Sequence, residues 1–276
     1  MKNTIFRIMS FNVRYDSQSD DYHSWKNRRE RVSRLIQFYD PDIIGFQETF
    51  KHQLEYLNNQ LPSYNWIGVG REDGRESGEF SPIFFKRNRL KLLQQDSFWL
   101  SEQPEIPGSI GWDAKYSRLV TCCILKEAKL NDKFSIFNTH LDHDGETARI
   151  QSTKLIMKKI KNYASDIPAI ITGDLNTLPE SEPYRILLSD QRFRLRDAFH
   201  HSHYPHYGPD YTFNGFGMRA TQGRIDYILA TEHWKIWRSA IVPEFWNNFY
   251  SSDHFPVIAD ISLKNVEHIK DTHKNQ

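Results

Sequence analysis

This chain has little from which to build a covalent framework, and almost no net charge. Its 276 residues include 2 cysteines, adjacent at Cys122 and Cys123 in "LVTCCIL". Strand neighbours point to opposite faces and are poorly placed to bond to each other. That excludes a disulfide scaffold and a thiolate metal cluster, and leaves the pair as small buried hydrophobes. The formal net charge is +1, so the basic excess of a dedicated nucleic-acid binder is missing. No run is apolar for long enough to span a membrane. The N-terminus, "MKNTIFRIMSF", has neither an apolar leader core nor a cleavage site, so the expected compartment is the cytoplasm. There is no Gly/Ser linker, no low-complexity segment and no short-period repeat. A Gly-rich phosphate loop after a strand is also lacking, which argues against a pair of Rossmann-like domains.

What is present belongs to a globular protein with a sizeable core: 38% hydrophobic, 26% charged and 14% aromatic residues. The aromatic share suggests bulky core layers or an aromatic-lined cleft. Residues 4–11, "TIFRIMSF", read as a first strand. Over 25–39, Val32, Leu35, Ile36 and Tyr39 recur at helical spacing, and Asp40-Pro41 ends the helix. A short buried strand follows at 42–48, then a helix carrying Leu54, Leu57 and Leu61. The middle of the chain is a run of strands, and 146–164 is the clearest helix, with Ile150, Thr153, Met157, Ile160 and Tyr163 on its seam. Strands "PAIITGD", "YTFN", "RIDYILA", "WKIWRSAIV" and "FPVIADIS" complete the pattern, with a short helix near "PYRILLS". The reading is an α/β protein, a four-layer sandwich in which two mixed sheets pack face to face between helices. One domain is expected over 1–264, followed by a polar tail over 265–276.

The polar residues at strand ends carry the functional signal. In "ITGDLNTLPES" (171–181) a buried run stops at Gly173 and delivers Asp174 and Asn176, two residues apart and so able to face a common target. A turn alone would account for that stretch. It has company, however: Asn12 after "RIMSF", Glu48 after "IIGFQ", His140 after "FSIFNT", Asp226 in "GRIDYIL", and Asp253-His254 before "FPVIADI". Each has a bland explanation by itself; six strand edges together do not, because a sandwich brings alternate strand ends to one rim. Glu48 and Asp253, with Asn12, are oxygen ligands suited to a hard cation such as Mg²⁺, with Mn²⁺ an alternative. Histidines and amides around such a cation can hold a phosphate. Asp174 is the candidate base that orients a water, and Asn176 its partner on the phosphoryl oxygens.

"MSFNVRYD", "IIGFQE", "FNTHLDH", "GDLNTLPES", "RIDYIL" and "SSDHFPV" resemble, in order, the motifs of the endonuclease/exonuclease/phosphatase superfamily, from about Ile5 to Asp260. "WKNRRERV", "GEFSPIFF", "FWLSEQPEIPGSIGWDA" and "ARIQS" resemble a bacterial branch near the nocturnin-like and deadenylase-like proteins. The resemblance implies that Asn12 and Glu48 hold the metal with Asp253 near it, and that His140 contacts the phosphate. It implies further that Asp174 deprotonates the attacking water with Asn176 in support, and that His254 donates to the phosphate while Asp226 orients it.

Four residues are candidates for the substrate rim. Glu79 precedes a buried strand, Arg118 and Arg149 suit bidentate phosphate contacts, and Trp112 joins Phe98 and Trp99 as possible pocket wall. The segment between Gly70 and Gly111 is expected to build that rim, with acidic stretches that would repel a long polyanion. "HHSHYPHYG" reads as a surface loop and "KNRRERVSR" as a solvated helix face. The expected activity is metal-dependent hydrolysis of a small phosphorylated molecule by a monomer. The alternatives are a nuclease or deadenylase-like phosphodiesterase acting on single-stranded nucleic acid, or a catalytically silent phosphate-binding module.

Overall fold

The computed structural model describes residues 4–129, 132–163, 167–217, 223–246 and 249–264; the expected tail over 265–276 lies outside them. The chain begins with β1 (Ile5–Asn12), a 3-10 turn, α1 (Trp25–Tyr39), β2 (Ile43–Gln47) and α2 (Lys51–Gln60). Five strands follow: β3 (Tyr64–Ile67), β4 (Ile83–Lys86), β5 (Leu90–Trp99), β6 (Leu119–Glu127) and β7 (Lys133–His140). Next come α3 (Glu146–Tyr163), β8 (Ala169–Asp174), α4 (Glu182–Ser189), β9 (Arg196–Asp197) and α5 (Ala198–His201). The last strands are β10 (Asp226–Ala230), β11 (Trp234–Ile241), β12 (Phe245–Trp246), β13 (Phe249–Tyr250) and β14 (Val257–Leu263).

Two six-stranded sheets result, in the orders β11-β14-β1-β2-β4-β3 and β5-β6-β7-β8-β10-β9. Both are mixed. β1 runs parallel to β2 and β7 parallel to β8, while the other pairings within these sheets are antiparallel. Their inner faces meet in an apolar layer that includes Ile8, Ile43 and Ile83 from one sheet and Leu125, Ile136 and Ile170 from the other. Val32, Ile36, Leu54 and Leu57 cover the outside of the first sheet, and Ile156, Ile160, Tyr184 and Leu187 the outside of the second. This is the expected four-layer sandwich. Central strands such as β1 are covered on both faces, so their ends read as continuous buried runs rather than alternations.

The helix over 25–39 and the strand over residues 42–48 lie where periodicity placed them, and Asp40 closes α1 in the left-handed region at φ 46°. Two readings need correction. "YTFN" is not a strand; Phe213 forms an isolated bridge to His254, and the Thr212 hydroxyl accepts from the Ile225 and Asp226 backbone amides. The basic face of α1 is not wholly solvated either. Arg28 is fully buried and donates to the carbonyls of Val13, Arg14, His23 and Ser251, clamping the loop that leaves β1.

The two sheets are also joined by polar groups. Between them Gln47 Nε2 donates to Asn138 Oδ1 (2.8 Å) and lies 3.3 Å from Ser10 Oγ. Thr172 Oγ1 donates to the same Asn138 oxygen (2.9 Å), and Asn138 Nδ2 donates to the carbonyls of Phe46 and Pro82. All four side chains are buried completely. The close approach requires Gly45, where a Cβ would collide with Thr172 Oγ1 and Asn138 Oδ1. Asn138→Leu keeps the approximate volume but strands these partners. At about 1–3 kcal/mol for each unsatisfied buried group, it should cost at least about 3 kcal/mol in denaturant unfolding. A loss under about 1 kcal/mol would contradict this role.

Candidate active site

One pleat above that polar contact, the strand ends converge. Asn12 ends β1, Glu48 follows β2, His140 ends β7, Asp174 ends β8 and Asp226 begins β10. Strand register places Asp174 beside both His140 and Asp226. Asp253 and His254 come from the loop before β14. Glu48 and Asn176 sit at φ 58° and 45°, and these left-handed turns lift both residues out of the strand direction.

Asp174 is the hub. Its Oδ2 accepts from Asn12 Nδ2 at 2.9 Å and its Oδ1 from the Asn176 backbone amide at 3.0 Å. His140 Nε2 and His254 Nε2 lie 3.5 and 3.8 Å from Oδ2. Asp226 Oδ2 holds His254 Nδ1 at 2.8 Å. Asn12 Nδ2 also donates to Glu48 Oε1 (2.9 Å), while its Oδ1 accepts from the Arg14 amide (2.9 Å), which fixes the orientation of the amide. Asn12 therefore bridges the Glu48 and Asp174 carboxylates through its nitrogen. Asn176 Nδ2 donates to the Leu141 carbonyl and to His140 Nε2, both at 3.0 Å, which puts the His140 proton on Nδ1.

These environments push the groups apart. Burial, then the nearby Asp226 charge, raises the Asp174 carboxyl to about 7, against the pull of His254 and Asn12. Burial opposes a charged His254, but Asp226 and Asp174 outweigh it and hold the ring well above its ordinary value, as an imidazolium. Burial, with Arg118 and Arg71 nearby, keeps His140 well below its ordinary value and neutral. Burial would raise Glu48, but His254, the Asn12 amide and Arg14 bring it below the usual carboxylate range. Asp253 is raised by burial and by Glu48.

Ligand atoms of Glu48, Asp174 and His254 all lie within 4.8 Å of one another. A charged His254 has no free lone pair on either nitrogen, so it faces the cluster as a donor. The available ligands are then carboxylate oxygens: Glu48 and Asp174, with Asp253 close enough to Glu48 to be repelled by it. Buried carboxylates in mutual repulsion, without thiolates, fit a hard divalent cation.

The cleft over these groups has a volume of about 590 Å³ and is also lined by Arg14, Tyr15, Arg71, Glu79, Tyr116, Arg118, His143 and Phe213. Glu79 and Arg118 are thus at the cleft. Arg149 is not among the lining residues: its Nη1 donates to the Asp142 carbonyl and supports the turn before α3. Trp112 is not among them either, and the aromatic wall there is Tyr116, 39% exposed. Phe98 and Trp99 are core. Of the acidic stretches between Gly70 and Gly111, only Glu79 reaches the cleft, accompanied by Arg71. Sequence reasoning missed Arg14, Tyr15, Arg71, Tyr116 and His143. Arg14 and Tyr15 stand within the quoted "FNVRYD", directly after Asn12, and that adjacency was the available signal.

The signature of the Endonuclease/Exonuclease/phosphatase family matches residues 9–254. An endonuclease/exonuclease/phosphatase from Bacteroides vulgatus is 36% identical, with a TM-score of 0.91 over 95% of this chain and 100% of that one. A mannosyl-6-phosphatase from Bacteroides thetaiotaomicron is 33% identical, with a TM-score of 0.88 over 94% of this chain and 100% of that one. An uncharacterised mimivirus protein is 28% identical over 91% of this chain and 98% of its own length. The relatives also include nocturnin from Drosophila melanogaster and the exoribonuclease subunit Ccr4 from Emericella nidulans, of which the chain spans 28% and 52%. No helix among the described residues is long and apolar enough to cross a membrane.

A cation beside Asp174 favours its ionised form, so binding should release protons wherever Asp174 still carries one. With Asp174 raised to about 7, the apparent affinity for Mg²⁺ should climb as pH rises through neutrality and flatten above it. Calorimetry in buffers of different ionisation enthalpy should find proton release at neutral pH that disappears in Asp174→Asn. A pH-independent affinity with no proton release would contradict the raised carboxyl.

Proposed function

The chain belongs to the endonuclease/exonuclease/phosphatase family, a phosphoesterase family, and on that premise we propose that it hydrolyses a small phosphate ester with the help of Mg²⁺ or Mn²⁺. The observation that carries this reading is Asp174: buried, held by two asparagines, and placed between a neutral and a charged histidine.

In this reading Asp174, ionised when the site is loaded, takes a proton from the attacking water, and the Asn176 amide to its Oδ1 keeps the carboxylate in place. The His254 imidazolium donates from Nε2 to a phosphoryl oxygen, and Asp226 keeps it charged and oriented through Nδ1. Asn12 holds the Glu48 and Asp174 carboxylates at a fixed separation. Glu48, with Asp253 beside it, would hold the cation. Such a cation supplies Lewis-acid neutralisation of charge on the phosphoryl group. Positioning and charge carry most of the rate in phosphoryl transfer.

A small substrate suits the cleft volume, which falls within the range of small-molecule sites. It also agrees with the mannosyl-6-phosphatase among the relatives. The second reading, single-stranded nucleic acid, draws on nocturnin and Ccr4.

Turnover of hexose phosphates, nucleotides, inositol phosphates and short RNA with Mg²⁺ separates these readings, and RNA as the best substrate by kcat/KM would overturn the first. Asp174→Asn should lower kcat at least about a hundredfold, the low end for a general base. Glu48→Gln should raise the Mg²⁺ concentration needed for half-maximal rate. Near-wild-type behaviour of both variants, or no chelator-sensitive release of phosphate from any substrate, would sink the mechanism.

A further inference from the structure

The wall of the cleft beyond His140 holds two arginines that the chemistry at Asp174 does not use. Arg71 comes from the loop after β3 and Arg118 from the residue before β6, yet their guanidinium carbons lie 5.3 and 5.8 Å from the centre of the same ring, Tyr116. Both line the cleft beside His140 and His143. Arg71 Nη1 pairs with Glu79 Oε2 at 2.7 Å. Burial, and next to it Arg118, hold Arg71 below the ordinary arginine value, against the pull of Glu79. Two like charges have been placed side by side in a site that excludes much of the water, an arrangement that an anion between them relieves.

Arg118 shows the direction of that demand. It is 4% exposed. Its Nη2 lies 3.1 Å from His143 Nδ1, and its Nε is 3.5 Å from Asp142 Oδ2, an ion pair without hydrogen-bond geometry. Neither Nε nor Nη1 has a hydrogen-bond partner among the described residues. Asp142 cannot supply one readily, because its carboxylate already accepts from the amides of Asp144, Gly145, Lys115 and Tyr116. His140 Nδ1, the protonated nitrogen, also lacks a partner and stands 3.9 Å from Glu79. Three buried N–H donors, two of them on a cation, therefore lack an acceptor among the described residues, and their side chains also line a small space of about 10 Å³ with Arg71 and Glu79. Unsatisfied donors of this kind are costly unless a ligand completes them.

We propose that Arg71 and Arg118 form an anion subsite that reads the charge of the substrate's phosphate, favouring the terminal dianion of a phosphomonoester over the monoanion of an internal phosphodiester. The proposal rests on the phosphoesterase reading above for its ligand. A monoester carries a second charge and a third non-bridging oxygen. His254 is held beside Asp174, and in this proposal the further charge and oxygen fall to the two arginines. Arg71 and Arg118 are the specificity-determining pair, and Glu79 is the counter-ion that keeps Arg71 in place.

The test compares wild type with Arg71→Gln and Arg118→Lys, each confirmed folded by thermal melting. With Mg²⁺ present, kcat/KM is measured on p-nitrophenyl phosphate and on bis(p-nitrophenyl) phosphate. Each variant should lose about tenfold or more on the monoester beyond any loss on the diester, the size of one charge-assisted contact. Equal losses on both substrates would overturn the charge-reading role. A second measurement is independent of turnover: calorimetric binding, at alkaline pH, of phenylphosphonate (a dianion) and its monomethyl ester (a monoanion). Wild type should favour the dianion, and the variants should lose that preference. If neither ester is hydrolysed but the arginine-dependent preference persists, the hydrolytic function fails and the subsite stands. If wild type shows no preference, or the variants keep it in full, the subsite is refuted whatever the turnover.

Discussion

The site depends on a polar contact buried beneath it. Ser10, Gln47, Asn138 and Thr172 meet between the two sheets, where an apolar layer would have filled space without fixing register. On a strand, residues two apart share a face. Ser10 therefore sits one pleat below Asn12, Asn138 below His140 and Thr172 below Asp174, and Gln47 directly precedes Glu48. A slip of either sheet would break the contact below and scatter the carboxylates above. The bonds that Asn138 makes to both sheets favour one arrangement, and the catalytic groups inherit it. Gly45 makes it possible by letting the sheets approach where a side chain would hold them apart.

Above that contact, one carboxylate perturbs two neighbours in complementary ways. Asp226 hydrogen-bonds His254 and holds it charged, and the same negative charge helps to raise Asp174. The result is an acid and a base side by side, His254 held charged and ready to donate and Asp174 raised to about 7 and able to accept. His140 differs although it too sits beside Asp174. Burial and the nearby Arg118 and Arg71 charges keep it neutral, and its Nε2 accepts from Asn176. Identical residue types take different roles because their second neighbours differ.

Much of this was legible in the sequence, for a physical reason. Residues that end buried strands must lie on a rim, so Asn12, Glu48, His140, Asp174 and Asp226 could be grouped before any coordinates were known. Periodicity placed α1 and α3 for the same kind of reason. What the sequence hid came from loops, where no period constrains direction. Arg149 sits near the start of a helix and turned inward to a carbonyl. Trp112 gave way to Tyr116 four residues later. Arg71 gives no local sign that it meets Arg118 across Tyr116. Arg28 looked like one charge among many on a solvated face, because the carbonyls it clamps lie far from α1 in sequence or in other loops.

The most direct test of the site as a metal-assisted phosphoesterase centre is a crystal structure grown with Mn²⁺ and inorganic phosphate, with the ion located by anomalous scattering. The prediction is an ion on Glu48 with Asp253 beside it, and a phosphate held between His254 and Asn176 on one side and Arg118 on the other. An ion bound away from Glu48, or a phosphate outside the cleft while these side chains stay paired with one another, would contradict it.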